Sequence, residues 1–232
     1  MLRAIFFDAG NTLVRMNYEV IARELGRQGV VVDPVDLQRA DWRARVRLDT
    51  EVLAATSGRV STEDRTAAER YLEYLLAAAG VTESRVVRAV ADWRRTYNVP
   101  VGVWDTVEPG AEAALVAARR AGLVTAVISN SNGSIRGILQ ALRLAPHFDF
   151  VLDSSEVGVE KPDPRLFRLA LERAGVAPGE AAYVGDLYSI DVLGARAAGM
   201  DAILLDPGAC WGARDCRTAS DVLEAVHALL AP

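Results

Sequence analysis

Lysine, cysteine and histidine are scarce in this sequence. Among its 26 basic residues only Lys161 is a lysine, and the other 25 are arginines. It has two cysteines, Cys210 and Cys216, and two histidines. Two cysteines form neither a disulfide framework nor a zinc site with two ligand pairs. This cysteine usage predicts a reducing, cytoplasmic location.

Long apolar runs and basic clusters are also missing. No apolar run reaches the roughly 18 residues that a membrane span requires, and the N-terminal residues lack the pattern of a signal peptide, so we expect no membrane association. The net charge is −5 and no basic run is present, which argues against a nucleic-acid partner. A chain of 232 residues that is 51% hydrophobic can form one large domain, or one domain with an insertion.

The most informative segment is the first one. The apolar run 4–7 predicts a buried strand that ends at Asp8, and the sequence Ala9-Gly10-Asn11 predicts a turn. Open α/β sheets bind their ligands outside the carboxyl ends of the strands. Asp8 is therefore a candidate nucleophile, because an aspartate can form a covalent intermediate that divides one difficult step into two.

Strand and helix patterns alternate along most of the chain. Apolar runs predict four further strands, at 124–129, 148–153, 181–185 and 202–205. This alternation is typical of an α/β fold in which helices cover a parallel sheet. Residues 16–103 show only helical patterns. We therefore predict a core of residues 1–15 and 104–232, with an all-α insertion, 16–103, above the carboxyl ends of the strands.

Three more predicted strand or helix ends carry polar groups. The Ser129 hydroxyl and the neighbouring Asn130 stand at a helix start, a position that suits a phosphate oxygen. Lys161 precedes a helix that starts with proline, and its compact ammonium is not replaced by a guanidinium. Asp186 and Asp191 flank the turn after the strand at 181–185.

Together these groups indicate phosphoryl transfer. A carboxylate that attacks a phosphate dianion meets a repulsion of about 4 kcal/mol per pair of charges at 4 Å and an effective dielectric of 20. Lys161 and a divalent cation would offset this repulsion. Oxygen ligands from Asp8 and Asp186 suit Mg²⁺, and Asp191 either reaches the cation through water or anchors Lys161. As the only side-chain amine, Lys161 is also the expected target of an inactivating amine reagent.

In these motifs the chain resembles the haloacid dehalogenase superfamily of aspartate-nucleophile hydrolases. The resemblance is carried by four segments: residues 7–13, Ser129-Asn130, Lys161-Pro162 within the run 155–164, and residues 185–191. It extends over the whole chain, because the helical insertion is similar to the C1-type cap of that family.

The resemblance implies both a fold and a set of roles. The fold is a three-layer, Rossmann-like core whose parallel sheet has the strand order 5-4-1-2-3. The implied roles are Asp8 as nucleophile, Ser129 as phosphate ligand, Lys161 as charge stabiliser and Asp186 as a direct Mg²⁺ ligand. For substrate contacts, the candidates in or near the insertion are Arg15, Tyr18, Arg43 and Arg47, although a solvated helix face explains each of them more simply.

Gly10 departs from the family pattern. Phosphatases of this family usually carry a second aspartate two residues after the nucleophile, which protonates the leaving oxygen and later activates water. The backbone carbonyl of Gly10 can still bind Mg²⁺, but it cannot transfer a proton. Positioned acid–base groups contribute ~10²–10⁴ in rate. Their loss matters most for a sugar alkoxide and least for an acyl phosphate, an aryl phosphate or a halide.

Three functions fit this pattern. We favour a Mg²⁺-dependent phosphohydrolase that acts on a small phosphorylated metabolite through an aspartyl-phosphate intermediate. A 2-haloacid dehalogenase also lacks the second acid, but it needs no metal and generally has Ser-Asn where this chain has Gly185-Asp186. A metal- and phosphometabolite-binding module with little turnover would not require a nucleophile. Both a monomer and a homodimer are compatible with the sequence.

Overall fold

The protein is described by a computed structural model that covers residues 1–56, 61–62 and 64–231. Within them lie eight strands: β1 (Ala4–Phe7), β2 (Val14–Arg15), β3 (Thr106–Val107), β4 (Val124–Ser129), β5 (Phe150–Asp153), β6 (Ala181–Gly185), β7 (Asp201–Leu205) and β8 (Arg217–Ala219). The same residues form ten α-helices: α1 (Tyr18–Arg27), α2 (Pro34–Leu48), α3 (Arg65–Ala78), α4 (Ser84–Thr96), α5 (Ala111–Arg120), α6 (Ile135–Ala141), α7 (Ser154–Val157), α8 (Pro164–Ala174), α9 (Leu193–Ala197) and α10 (Val222–Leu230).

Six strands form one parallel sheet in the order β5-β4-β1-β6-β7-β8. Numbered along the chain within this sheet, the first five strands have the predicted order 5-4-1-2-3, which confirms the Rossmann-like α/β fold. The edge strand β8 was not predicted, because only one of its three residues is buried and its pattern differs little from that of a loop. The strands predicted at 148–153 and 202–205 are observed as Phe150–Asp153 and Asp201–Leu205.

The central strand β1 is apolar along its whole length because both faces of the sheet are covered. Ile5 and Phe7 face an apolar cluster that includes side chains of α5 and α10, whereas Ala4 and Phe6 face a second cluster that includes side chains of α8. Neighbouring strands flank β1 on both sides in parallel register. Residues that follow β1, β4 and β6 therefore meet at one edge of the sheet.

Helices α1 to α4 lie between β2 and β3, which pair as a short antiparallel ribbon. These helices share an apolar cluster of their own, which includes Leu25, Leu37, Leu75 and Val90. All four helices fall within the predicted insertion 16–103, of which residues 57–60 and 63 lie outside the described residues. In the described part of the chain, no helix combines the length and the apolar character needed to cross a membrane.

Candidate active site

A cavity of about 400 Å³ opens at the carboxyl edge of the sheet. The residues predicted from the sequence that line it are Asp8, Gly10, Ser129, Asn130, Lys161 and Asp186. The remaining predicted residue, Asp191, is buried and contacts Lys161. The structure therefore brings the seven predicted catalytic, phosphate-binding and metal-binding residues together, although they come from four separate segments of the chain.

Lys161 is the centre of this cluster. Its Nζ donates hydrogen bonds to Asp8 Oδ1 at 2.6 Å, to Asp191 Oδ1 at 2.7 Å and to the Tyr183 hydroxyl at 2.9 Å. An ammonium has three protons, so these acceptors satisfy it completely. Burial alone lowers the pKa of Lys161, but the carboxylates of Asp191 and Asp8 more than compensate and raise this pKa above its usual value. A buried, protonated and fully bonded amine contradicts the expected reaction with amine reagents, which need a free and accessible amine.

Asp191 binds Lys161, and the position of its carboxylate explains why residue 185 is a glycine. Besides the bond from Lys161 to Oδ1, its Oδ2 accepts hydrogen bonds from the main-chain N–H groups of Asp186 and Leu187 at 3.1 and 2.9 Å. A Cβ atom at Gly185 would lie 2.5 Å from the Asp191 carboxyl carbon. The spacing Gly-Asp-x-x-x-x-Asp is thus a packing requirement, because the second carboxylate covers the glycine.

Asn130 has a structural task that the sequence did not indicate. Its carboxamide pairs with the main chain of Lys161: Nδ2 donates to the Lys161 carbonyl at 3.0 Å, and Oδ1 accepts from the Lys161 N–H at 2.7 Å. The predicted phosphate-binding side chain therefore fixes the segment that carries the lysine. The Ser129 hydroxyl lines the cavity and makes a long hydrogen bond of 3.3 Å to the Asn130 carbonyl.

Negative charge exceeds positive charge in this buried cluster. Asp8, Asp186 and Asp191 each have a carboxylate oxygen within 4.8 Å of the others, whereas two cationic side chains, Lys161 and Arg45, face them. Burial raises the pKa of Asp8 to about 6, even though Lys161 partly offsets that effect. Burial likewise raises the pKa of Asp186 well above its usual value, and Arg45 offsets this only in part. Carboxylate oxygens with uncompensated charge fit a hard divalent cation.

Arg45 lines the cavity although it was not among the residues predicted from the sequence. It is buried on α2, and its Nη1 lies 3.4 Å from Asp186 Oδ2 and 3.5 Å from the Asn11 carbonyl. The cavity is lined by Arg45 and Arg94 rather than by the four substrate-contact candidates Arg15, Tyr18, Arg43 and Arg47. The helical period of α2 could have indicated that Arg45 is buried, because Arg45 belongs to the inward face of that helix. The buried residues of α2 are Leu37, Ala40, Asp41, Ala44, Arg45 and Leu48.

A chain of hydrogen bonds extends from Asp186 into the helical segment. Asn11 Nδ2 donates to Asp186 Oδ2 at 3.3 Å and to the Tyr71 hydroxyl at 3.0 Å. Tyr71 in turn donates to Asp41 Oδ1 at 2.6 Å. All four side chains are buried, so the turn after Asp8 is tied to α2 and α3 by specific polar contacts.

Gly10 faces an aromatic ring. Its backbone lies outside the left-handed region, which Asn11 adopts instead with φ +52°, so the turn itself does not require glycine at position 10. A Cβ atom at Gly10 would lie 3.4 and 3.5 Å from Cζ3 and Cη2 of Trp104. The six-membered ring of Trp104 thus borders the space into which a longer side chain at position 10 would extend.

Comparison with known proteins gives a consistent result. The model of the haloacid dehalogenase-like hydrolase family matches residues 2–199. The mouse (Mus musculus) haloacid dehalogenase-like hydrolase domain-containing protein 3 is 35% identical over 208 residues, 88% of this chain and 82% of the mouse protein. A phosphoserine phosphatase from Thermus thermophilus is 45% identical over 139 residues, which are 60% of this chain and 53% of that protein.

Among solved structures, a 2-haloacid dehalogenase from Pseudomonas syringae is similar over 100% of both chains, with 27% identity and a TM-score of 0.57. Its similarity agrees with the parallel sheet of this fold. Because the family model spans most of the sequence and the mouse relative aligns over most of its own length, this chain belongs to the haloacid dehalogenase-like hydrolase family and is a hydrolase.

Proposed function

We propose that this hydrolase is a Mg²⁺-dependent phosphatase that acts on a small phosphorylated metabolite through an aspartyl-phosphate on Asp8. The observation that carries the proposal is the pairing of Asp8 with Lys161 at 2.6 Å, beside a second buried carboxylate, Asp186. The phosphoserine phosphatase relative supports phosphate as the transferred group. The location of the protein is proposed to be the cytoplasm.

Each residue has a definite task in this proposal. An Asp8 carboxylate oxygen attacks phosphorus, and the leaving oxygen departs with the electron pair of the broken bond. Ser129 binds a phosphate oxygen, and Asn130 fixes the main chain of Lys161. Lys161 offsets the negative charge, and it can bind a phosphate oxygen by exchanging the hydrogen bond that it donates to Asp8. Since both oxygens of Asp191 are already bonded, we assign it to holding Lys161.

The metal-binding residues would be Asp8, Asp186 and the backbone carbonyl of Gly10. When bound there, Mg²⁺ supplies positive charge that lowers the repulsion between the carboxylate and the phosphate. We further propose that residues 16–103 form a cap over the core of residues 1–15 and 104–232, with Arg45 as the cap residue that contacts the core site.

The test compares phosphate and halide release. We expect phosphate release from an aryl phosphate in Mg²⁺ and its loss in chelator. Release of chloride from 2-chloropropionate in chelator would favour the dehalogenase alternative, which Gly10 and the similarity to the Pseudomonas syringae enzyme keep relevant. Mg²⁺ and phosphate binding without turnover of either substrate would identify a binding module.

Arg45 is predicted to weaken cation binding, because its guanidinium occupies the carboxylate that would bind Mg²⁺. Arg45 Nη1 lies 3.4 Å from Asp186 Oδ2. Because the loss of a positive charge so close to a metal-binding carboxylate strengthens its attraction for a cation by more than about 1 kcal/mol, Arg45→Gln should bind Mg²⁺ about tenfold more tightly. Calorimetric titration with MgCl₂ measures this. The matched control is Arg47→Gln, two residues along α2, where the exposed arginine pairs with Glu51. Unchanged or weaker binding by Arg45→Gln would contradict the proposed metal position.

A Gly10→Asp substitution is predicted to depend on Trp104. An aspartate here would supply a group able to transfer a proton for alkyl phosphates, but its Cβ atom would already lie in van der Waals contact with the Trp104 ring. We expect little gain from Gly10→Asp alone, and a gain of about 10-fold or more on an alkyl phosphate when it is combined with Trp104→Ala. Steady-state rates with glycerol phosphate check this. Equal gains with and without Trp104→Ala would show that the ring does not obstruct position 10.

A further inference from the structure

The cavity has an apolar side that the proposed chemistry does not use. Beside the charged residues, its lining includes Val101, Trp104, Ile135 and Ile138. Ile135 and Ile138 belong to the same buried cluster as Ala9, and Val101 and Trp104 pack against that cluster. This apolar side is therefore an extension of the protein core rather than a set of mobile surface side chains.

Trp104 is the largest member of this surface and the one next to the nucleophile turn. It is half-buried, lines the cavity and lies in van der Waals range of a Cβ atom at Gly10. It also packs against the cluster of the helical segment, which holds it between the two parts of the chain. Among the described residues, no other aromatic ring and no cationic group stacks on Trp104.

We infer that Trp104 and Gly10 form a subsite for a planar, apolar leaving group, which makes this protein selective for aryl phosphates. The inference rests on the phosphatase function proposed above. An aromatic ring of the substrate would lie against the Trp104 indole, an arrangement that stabilises ring pairs beyond the area they bury. Because residue 10 is a glycine, no side chain fills the space beside it, and this apolar surface borders that space.

The chemistry of an aryl leaving group matches the missing acid. An Asp8 oxygen forms a bond to phosphorus, the bond from phosphorus to the aryl oxygen breaks, and the aryl oxide leaves with the electron pair. It then takes a proton from water. A phenolic hydroxyl has a pKa of about 10, so its anion leaves without a positioned proton donor far more readily than an alkoxide. The apolar subsite and Gly10 thus favour the same class of substrate.

Two substrates with good leaving groups separate recognition of the ring from chemistry. Phenyl phosphate has a flat aromatic leaving group, whereas acetyl phosphate has a small acyl group. For Trp104→Leu we expect KM for phenyl phosphate to rise about 10-fold, with kcat nearly unchanged and KM for acetyl phosphate unaltered. Trp104→Phe should retain most of the preference. The matched control Trp93→Leu removes a tryptophan that stacks on Tyr97 away from the cavity, and it should alter neither KM.

A binding measurement gives a second readout. With Mg²⁺ present, phenylphosphonate should bind the unaltered protein about 10-fold more tightly than methylphosphonate, and Trp104→Leu should remove that preference. Equal KM changes for both substrates, or no preference between the phosphonates, would overturn the subsite. Hydrolysis of acetyl phosphate without hydrolysis of phenyl phosphate would overturn it while the phosphatase function stands. Failure to hydrolyse any phosphate would refute the proposed function itself.

Discussion

The Asp8→Asn variant should lose at least about 10⁴-fold in turnover while remaining folded. An amide in place of the carboxylate has no oxygen able to form the covalent bond to phosphorus. The fold should persist, because burial already disfavours the charged form of Asp8, and Lys161 keeps its bonds to Asp191 and Tyr183. Single-turnover release of phosphate from an aryl phosphate measures the loss, and urea unfolding measures the stability.

Asp153→Asn is the matched control for this substitution. Asp153 is a buried aspartate at the carboxyl end of β5, but its Oδ1 accepts hydrogen bonds from Ser155 and it does not line the cavity. An asparagine oxygen can accept the same bonds, so activity should stay close to that of the unaltered protein. If Asp8→Asn kept substantial turnover, or if both variants lost it equally, Asp8 would not be the nucleophile.

Replacement of Lys161 should reduce both stability and turnover. In Lys161→Met, Asp8 and Asp191 remain buried without the cation they share, and loss of one partner from a buried ion pair costs roughly 3–5 kcal/mol. In Lys161→Arg, a planar guanidinium cannot direct protons from a single nitrogen to three converging acceptors. We expect a fall in kcat of about 10²–10³ for Lys161→Arg. Urea unfolding and single-turnover rates measure the two effects.

The pH dependence of this loss has a definite sign. Without Lys161, the folded-state pKa of Asp8 rises further above its unfolded value, so folding becomes less favourable as this group ionises. The deficit of Lys161→Met should therefore be smaller at about pH 5 than at about pH 8. As a control, Arg165→Lys exchanges an exposed basic residue that pairs with Asp163, and it should have little effect. Full activity in Lys161→Arg would contradict the role given to the ammonium.

Local sequence patterns were sufficient to identify five strands of the main sheet and the polar residues that follow them, but not β2, β3 or β8. Asp8, Ser129 and Asp186 lie at or just after strand ends, and the structure places them around one cavity because parallel strands end at one edge of the sheet. Their catalytic roles remain predictions. The presence of a single lysine among 25 arginines also indicated a site residue. Three acceptors converge on its Nζ, an arrangement that a planar guanidinium cannot satisfy.

Contacts between distant segments could not be predicted in this way. Arg45 and Asp186 are 141 residues apart, and their contact depends on how α2 packs against the carboxyl edge of the sheet. The use of the Asn130 carboxamide to hold Lys161 depends in the same way on the course of the loop between α7 and α8. The position of the Trp104 ring beside Gly10 likewise depends on two segments that are far apart in the sequence.

The most direct test of the central claim is chemical trapping of the intermediate. The protein is mixed with excess phenyl phosphate and Mg²⁺, acid-quenched, treated with borohydride to reduce an acyl phosphate to homoserine, and digested with trypsin. Asp8 is the only acidic residue in the tryptic peptide 4–15. We expect homoserine at position 8 in this peptide by mass spectrometry. An unmodified peptide 4–15 during active turnover, or a phosphoryl group on Ser129 instead, would contradict covalent catalysis by Asp8.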